Sequence, residues 1–71
     1  MRELRFRRDL YAGEAVDEAA GALASYATIE REQEPTHWVV RVTAPSPERE
    51  RRVAGEIANR ALGTTVREGA R

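Results

Sequence analysis

The chain has 71 residues, and its twelve basic side chains, all arginine, balance twelve carboxylates to a formal net charge of zero. That neutrality argues against broad electrostatic binding to nucleic acid, and the absence of cysteine excludes disulfides, thiolate zinc sites and an iron–sulfur cluster held by this chain alone. No run approaches the roughly 20 apolar residues of a membrane span, and Met1 to Arg5 has no apolar core of signal-peptide length, so the expected location is the cytoplasm.

Glu3-Leu4-Arg5-Phe6-Arg7 alternates with period two, which predicts a half-buried strand with Leu4 and Phe6 on one face and Arg5 and Arg7 on the other. A turn over Asp9 to Gly13 leads into a helix predicted for Glu14 to Ala24, where Val16, Ala19, Ala20 and Leu23 recur at helical spacing. Glu14, Asp17 and Glu18 sit near its N-terminus, where carboxylates interact well with the helix dipole. A second strand is predicted for Ser25 to Glu32, with Ala27 and Ile29 inward and Tyr26, Thr28 and Glu30 outward.

Gln33-Glu34-Pro35-Thr36 reads as a hairpin loop. His37 to Thr43, rich in β-branched and aromatic residues, reads as a strand with Trp38, Val40 and Val42 on one face. Val39 on the opposite face implies that this strand is central or that its outer face is covered. Ser46 is the expected N-cap of a second helix and Pro47 its first residue. Its apolar stripe is Val53, Ala54, Ile57, Ala58, Ala61 and Leu62, and Glu48–Arg52 and Glu56–Arg60 are spaced to pair. Gly63 is a plausible C-cap, in which case Thr64 to Val66 forms a short fourth strand; otherwise the helix continues.

The order is β-α-β-β-α, an α+β plan: a three-stranded, antiparallel-containing sheet with two helices on one face, a ferredoxin-like fold lacking its last strand. A right-handed crossover from the first strand to the second puts the third between them, and the first strand is then an open edge. Leu4, Phe6, Ile29, Trp38, Val40 and Val42 are the expected core of one small domain. Large apolar residues are few and alanine is abundant, so burial barely offsets the ordering entropy of about 1.5 kcal/mol per residue. A partner, a second copy or a bound peptide is expected to complete it.

The open edge is either blunted by Arg5, Arg7 and Arg8 or used for strand addition, with those arginines engaging acidic side chains of an extended peptide. Tyr11 and Tyr26 are candidate interface anchors, with ordinary packing as the alternative. The lone His37 makes neither a metal site nor a triad, Glu30, Glu32 and Glu34 read as a solvated acidic hairpin, and the glycines form no phosphate-cradling loop. Catalytic and metal-ligating residues are therefore expected to be none. Gly55 inside a helix costs about 1 kcal/mol relative to alanine, so either close packing or drift explains it. Arginine without lysine reads as the mark of a GC-rich genome, with retention of carboxylate-binding forks as the alternative.

The C-terminal third, Ala54-Gly55-Glu56 followed by Asn59, Leu62, Arg67 and Glu68, resembles the closing helix of HxsD, a small accessory protein of His-Xaa-Ser peptide-maturation systems. Tyr11-x-x-Glu14-Ala15-Val16 and Trp38-Val39-Val40-Arg41-Val42 extend the similarity over nearly the whole chain. This sequence departs from that pattern at Ala61, Gly63, Thr64 and Thr65. The resemblance implies continuation of the last helix through Val66-Arg67-Glu68. It also implies a noncatalytic subunit that binds a radical-SAM enzyme, its ribosomally made precursor peptide, or both; the iron–sulfur cluster and S-adenosylmethionine belong to the partner enzyme. The alternative is a self-associating homodimeric module, with or without a small ligand between copies.

Overall fold

The computed structural model describes the backbone of residues 1–69 and the side chains of residues 1–63. Five elements follow in the expected order: β1 (Arg2–Arg7), α1 (Gly13–Ala22), β2 (Thr28–Gln33), β3 (His37–Thr43) and α2 (Pro47–Gly69). The three strands form one antiparallel sheet in the order β1-β3-β2. The fold is α+β, consistent with a small ferredoxin-like plan. β3 is central as Val39 implied, and that side chain is 1% exposed although it lies on the face without helices.

The register sorts the two faces. On the inner face lie rows Arg2–Val42–Ile29, Leu4–Val40–Arg31 and Phe6–Trp38–Gln33; on the outer face lie Glu3–Arg41–Glu30 and Arg5–Val39–Glu32. Phe6, Val40 and Val42 form one core with Val16, Ala19 and Leu23 of the α1 region and Val53, Ala54, Ile57 and Ala61 of α2. Both helices therefore cover the same face. Three expected core residues, Leu4, Ile29 and Trp38, are only partly buried and pack against its rim.

Several boundaries move from their predicted places, each for a local reason. The first helix stops at Ala22, because the N–H groups of Leu23, Ala24 and Tyr26 bond to the carbonyls of Ala20, Gly21 and Leu23 in successive tight turns. Those turns consume Ser25 to Ala27, so the second strand begins at Thr28 and ends at Gln33 rather than spanning Ser25 to Glu32. Ser46 does cap α2: its Oγ accepts the Arg49 N–H at 3.2 Å, and Pro47 is the first helical residue.

Beyond that cap, α2 takes the second of its two expected courses: it passes through Gly63 without a positive φ and continues to Gly69, as the resemblance implied, so Gly63 is no C-cap and Thr64 to Val66 is helical. Two other expectations are not met. Among the described residues, neither Glu48–Arg52 nor Glu56–Arg60 pairs; Glu50 instead accepts the Ala44 N–H at 3.1 Å. Leu62, expected in the apolar stripe, is 49% exposed. At 3.6 residues per turn the nine-residue step from Val53 to Leu62 makes two and a half turns, which sets Leu62 about half a turn round from Val53 and off the side that Val53, Ile57 and Ala61 bury.

Candidate functional site

An antiparallel pair alternates hydrogen-bonded and non-hydrogen-bonded positions, so one bond sets the phase of the whole ladder. The Arg8 N–H donates to the Thr36 carbonyl at 3.0 Å, which makes Arg2, Leu4 and Phe6 the β1 residues bonded to β3. The backbone groups of Glu3, Arg5 and Arg7 consequently point to the open edge. The Arg7 carbonyl is occupied there, accepting the Leu10 and Tyr11 N–H groups at 3.1 and 3.0 Å. What remains free along β1, among the described residues, is the N–H of all three and the carbonyls of Glu3 and Arg5.

The arginines beside this edge have internal partners. Arg5 bonds the Glu34 carboxylate at the hairpin tip and approaches Glu3 at 3.7 Å. Arg7 grips Asp9 with both a 3.1 and a 2.7 Å bond. Arg8 lies 4.3 Å over the Trp38 ring and donates to the Glu34 carbonyl at 2.9 Å. Arg41 completes an outer-face lattice by bonding Glu3 at 3.2 Å and Glu32 at 2.7 Å. Its members shield Val39 and leave the outer face charged. The hydrogen bond from Arg5 holds the Glu34 carboxyl below the usual glutamate range, and the Ala44 N–H does the same for Glu50.

Of the two candidate anchors, Tyr11 is a rim residue: its ring meets Phe6 edge-on, centroids 5.0 Å apart, and its carbonyl accepts the Trp38 Nε1–H at 3.0 Å. Tyr26 is 58% exposed. It stands beside a hollow of about 430 Å³ lined with Leu23, Arg49, Arg52, Val53 and Glu56. The residues that carry the HxsD resemblance divide between core and surface: Val16, Val40, Val42 and Ala54 are buried in the core. Gly55, Glu56, Asn59 and Leu62 are exposed on α2, with Gly55, Asn59 and Leu62 in one row at spacings of four and three. A Cβ on Gly55 would meet nothing within 4 Å, so close packing inside this chain is not its reason. The side chains of Arg67 and Glu68 lie outside the described ones.

Sequence reasoning missed a second feature, at the opposite edge. A cleft of about 360 Å³ opens between α1 and the inner face of β2, lined by Gly13, Glu14, Val16, Asp17, Arg31, Gln33 and Trp38 among others. The legible signal was the inward phase of β2: Ile29 is followed by Arg31 and Gln33, polar where a covered strand would be apolar. Arg31 reaches back to Asp17 at 3.1 Å, and among the described residues no other ion pair spans the gap. No group of three or more potential metal-ligating side chains is gathered among the described residues, and no described helix is long and apolar enough to cross a membrane. In comparisons with protein-family models, curated proteins and solved structures, nothing matches the chain.

Proposed function

We propose that this chain is a noncatalytic accessory subunit of a radical-SAM peptide-modifying enzyme, working in the cytoplasm and binding that enzyme, its ribosomally made precursor peptide, or both. The observation that carries this reading is the β1 edge, with unpaired backbone groups at Glu3 and Arg5 on a strand otherwise anchored in the core. An extended partner segment adds to such an edge through main-chain hydrogen bonds. The exposed row Gly55, Asn59 and Leu62 supports the reading from a second side, because these three of the positions that resemble HxsD lie on solvent-facing α2 surface and are free of any packing role in the core. The iron–sulfur cluster and S-adenosylmethionine reside in the partner.

Arg5→Pro tests the edge. The Arg5 N–H faces away from β3, so proline there removes one outward donor and leaves the ladder intact. The variant is expected to keep its circular dichroism spectrum and to lose co-purification with a radical-SAM enzyme encoded beside it. Retention of the enzyme at wild-type yield would count against the β1 edge.

A homodimer is the competing reading, favoured by one feature of the same strand. A two-fold axis at Leu4 would set Glu3 opposite Arg5 of the second copy, pairing opposite charges across a new ladder. Light scattering separates the two: a stable dimer indifferent to any enzyme favours self-association.

A further inference from the structure

The cleft between α1 and β2 has the elements of a peptide groove distinct from the β1 edge. The Glu34 N–H donates to the His37 carbonyl at 2.9 Å, which sets the phase of the second ladder. By that phase Thr28, Glu30 and Glu32 bond to β3, while the backbone groups of Ile29, Arg31 and Gln33 point outward. These same three residues direct their side chains to the inner face. A strand laid against this edge would therefore place the residues opposite Arg31 and Gln33 on the inner face too, inside the cleft beneath α1.

The lining specifies what those residues should be. Gln33 is level with Trp38, which touches Gly13 at the start of α1; Arg31 is level with Val40 and reaches Asp17 one turn later. The charged side chains on the cleft's inner face are Glu14, Asp17 and Arg31, since Glu32, which also borders it, turns its side chain to Arg41 on the outer face. Of the two α1 carboxylates that line it, Asp17 is bound by Arg31, and Glu14 has no ion-pair partner among the described residues. The cleft thus carries one unbalanced carboxylate, Glu14, beside an aromatic ring that Arg8 lies over. Glycine at position 13 leaves the ring against the helix backbone, since a Cβ there would lie 2.9 Å from Trp38 Cζ2.

We propose that this groove binds an extended peptide as a fourth strand on β2, with a cationic side chain opposite Gln33 that pairs with Glu14 alongside Trp38. Backbone hydrogen bonds to Arg31 and Gln33 hold the strand, and Glu14 selects for the positive side chain. The site requires no radical-SAM partner, so it stands or falls independently of the β1 edge.

The test uses the full chain and two fluorescein-labelled, acetylated peptides, one alternating threonine with arginine and one alternating threonine with glutamate. Fluorescence anisotropy is expected to show binding of the arginine peptide alone. Glu14→Arg should weaken it by at least about tenfold, the scale of one lost charge-assisted contact. Gln33→Pro removes an outward N–H and should weaken binding similarly, while Gln33→Ala keeps the N–H and recovers most of it. Amide exchange at Arg31 and Gln33 should slow when the peptide binds, a readout that does not depend on any variant. Equal binding of both peptides, binding indifferent to Glu14→Arg and Gln33→Pro, or failure of the arginine peptide to bind at all would overturn the proposal.

Discussion

Gly13 and Gly55 are the same residue type under opposite physical demands. Trp38 is held by its Nε1–H bond to the Tyr11 carbonyl and by Arg8 over its ring, so yielding to a methyl group at position 13 would disturb both contacts. Gly13→Ala is expected to destabilise the fold by about 1–3 kcal/mol, the usual cost of overpacking. Gly55→Ala meets open space in mid-helix and should stabilise by about 0.5–1 kcal/mol. Urea denaturation of the two variants checks both signs. If Gly55 serves a docking surface, the stabilised variant will bind its enzyme less well, separating fold from function at one atom.

Within α2 the contrast is between two apolar residues five positions apart. Ile57 is fully buried and Leu62 is half-exposed. Ile57→Ala is expected to cost about 2–5 kcal/mol, enough to unfold a domain this small, whereas Leu62→Glu should shift stability by less than about 0.5 kcal/mol. Thermal unfolding monitored at the helical circular dichroism band distinguishes them. Most of this architecture could be read from the chain. Alternation in Glu3 to Arg7 and in His37 to Thr43 gave both strands to within a residue, and Ser46-Pro47 marked the start of α2. The second strand was placed three residues early because Ser25 and Tyr26 have ordinary strand propensity, and only the tight turns after Ala22 take them out of it. The end of α2 was ambiguous because Gly63-Thr64-Thr65 has poor helix propensity. The β1 edge was legible from element order alone; the β2 cleft was not, because Arg31 and Gln33 announce an uncovered face only once the register is known.

At the scale of the molecule, the outer-face ions join all three strands: Arg41 ties β3 to Glu3 of β1 and to Glu32 of β2, and Arg5 ties β1 to the hairpin tip. Glu34 and Glu50 have carboxyls lowered from the ordinary 4.5. A lowered folded value means that the stabilisation is fully present above the unfolded value and lost as pH falls through the lower folded one. Thermal unfolding followed from about pH 7 to about pH 3 should therefore hold its midpoint until the glutamate range and then fall. Glu34→Gln should flatten part of that decline. An unchanged acid response in the variant would show that the Arg5–Glu34 contact is screened by water, as exposed pairs often are.

Because β1 and β2 are each antiparallel to β3, the two margins of the sheet share one polarity. Guests seated antiparallel on both would run in the same direction, four strand spacings or roughly 19 Å apart. A single polypeptide filling both seats would have to travel back along a six-residue strand and across that span, a diagonal of about 28 Å needing at least about eight fully extended residues. A shorter client occupies one seat and leaves the other vacant, which equips so small a molecule to hold two different chains in fixed relative orientation.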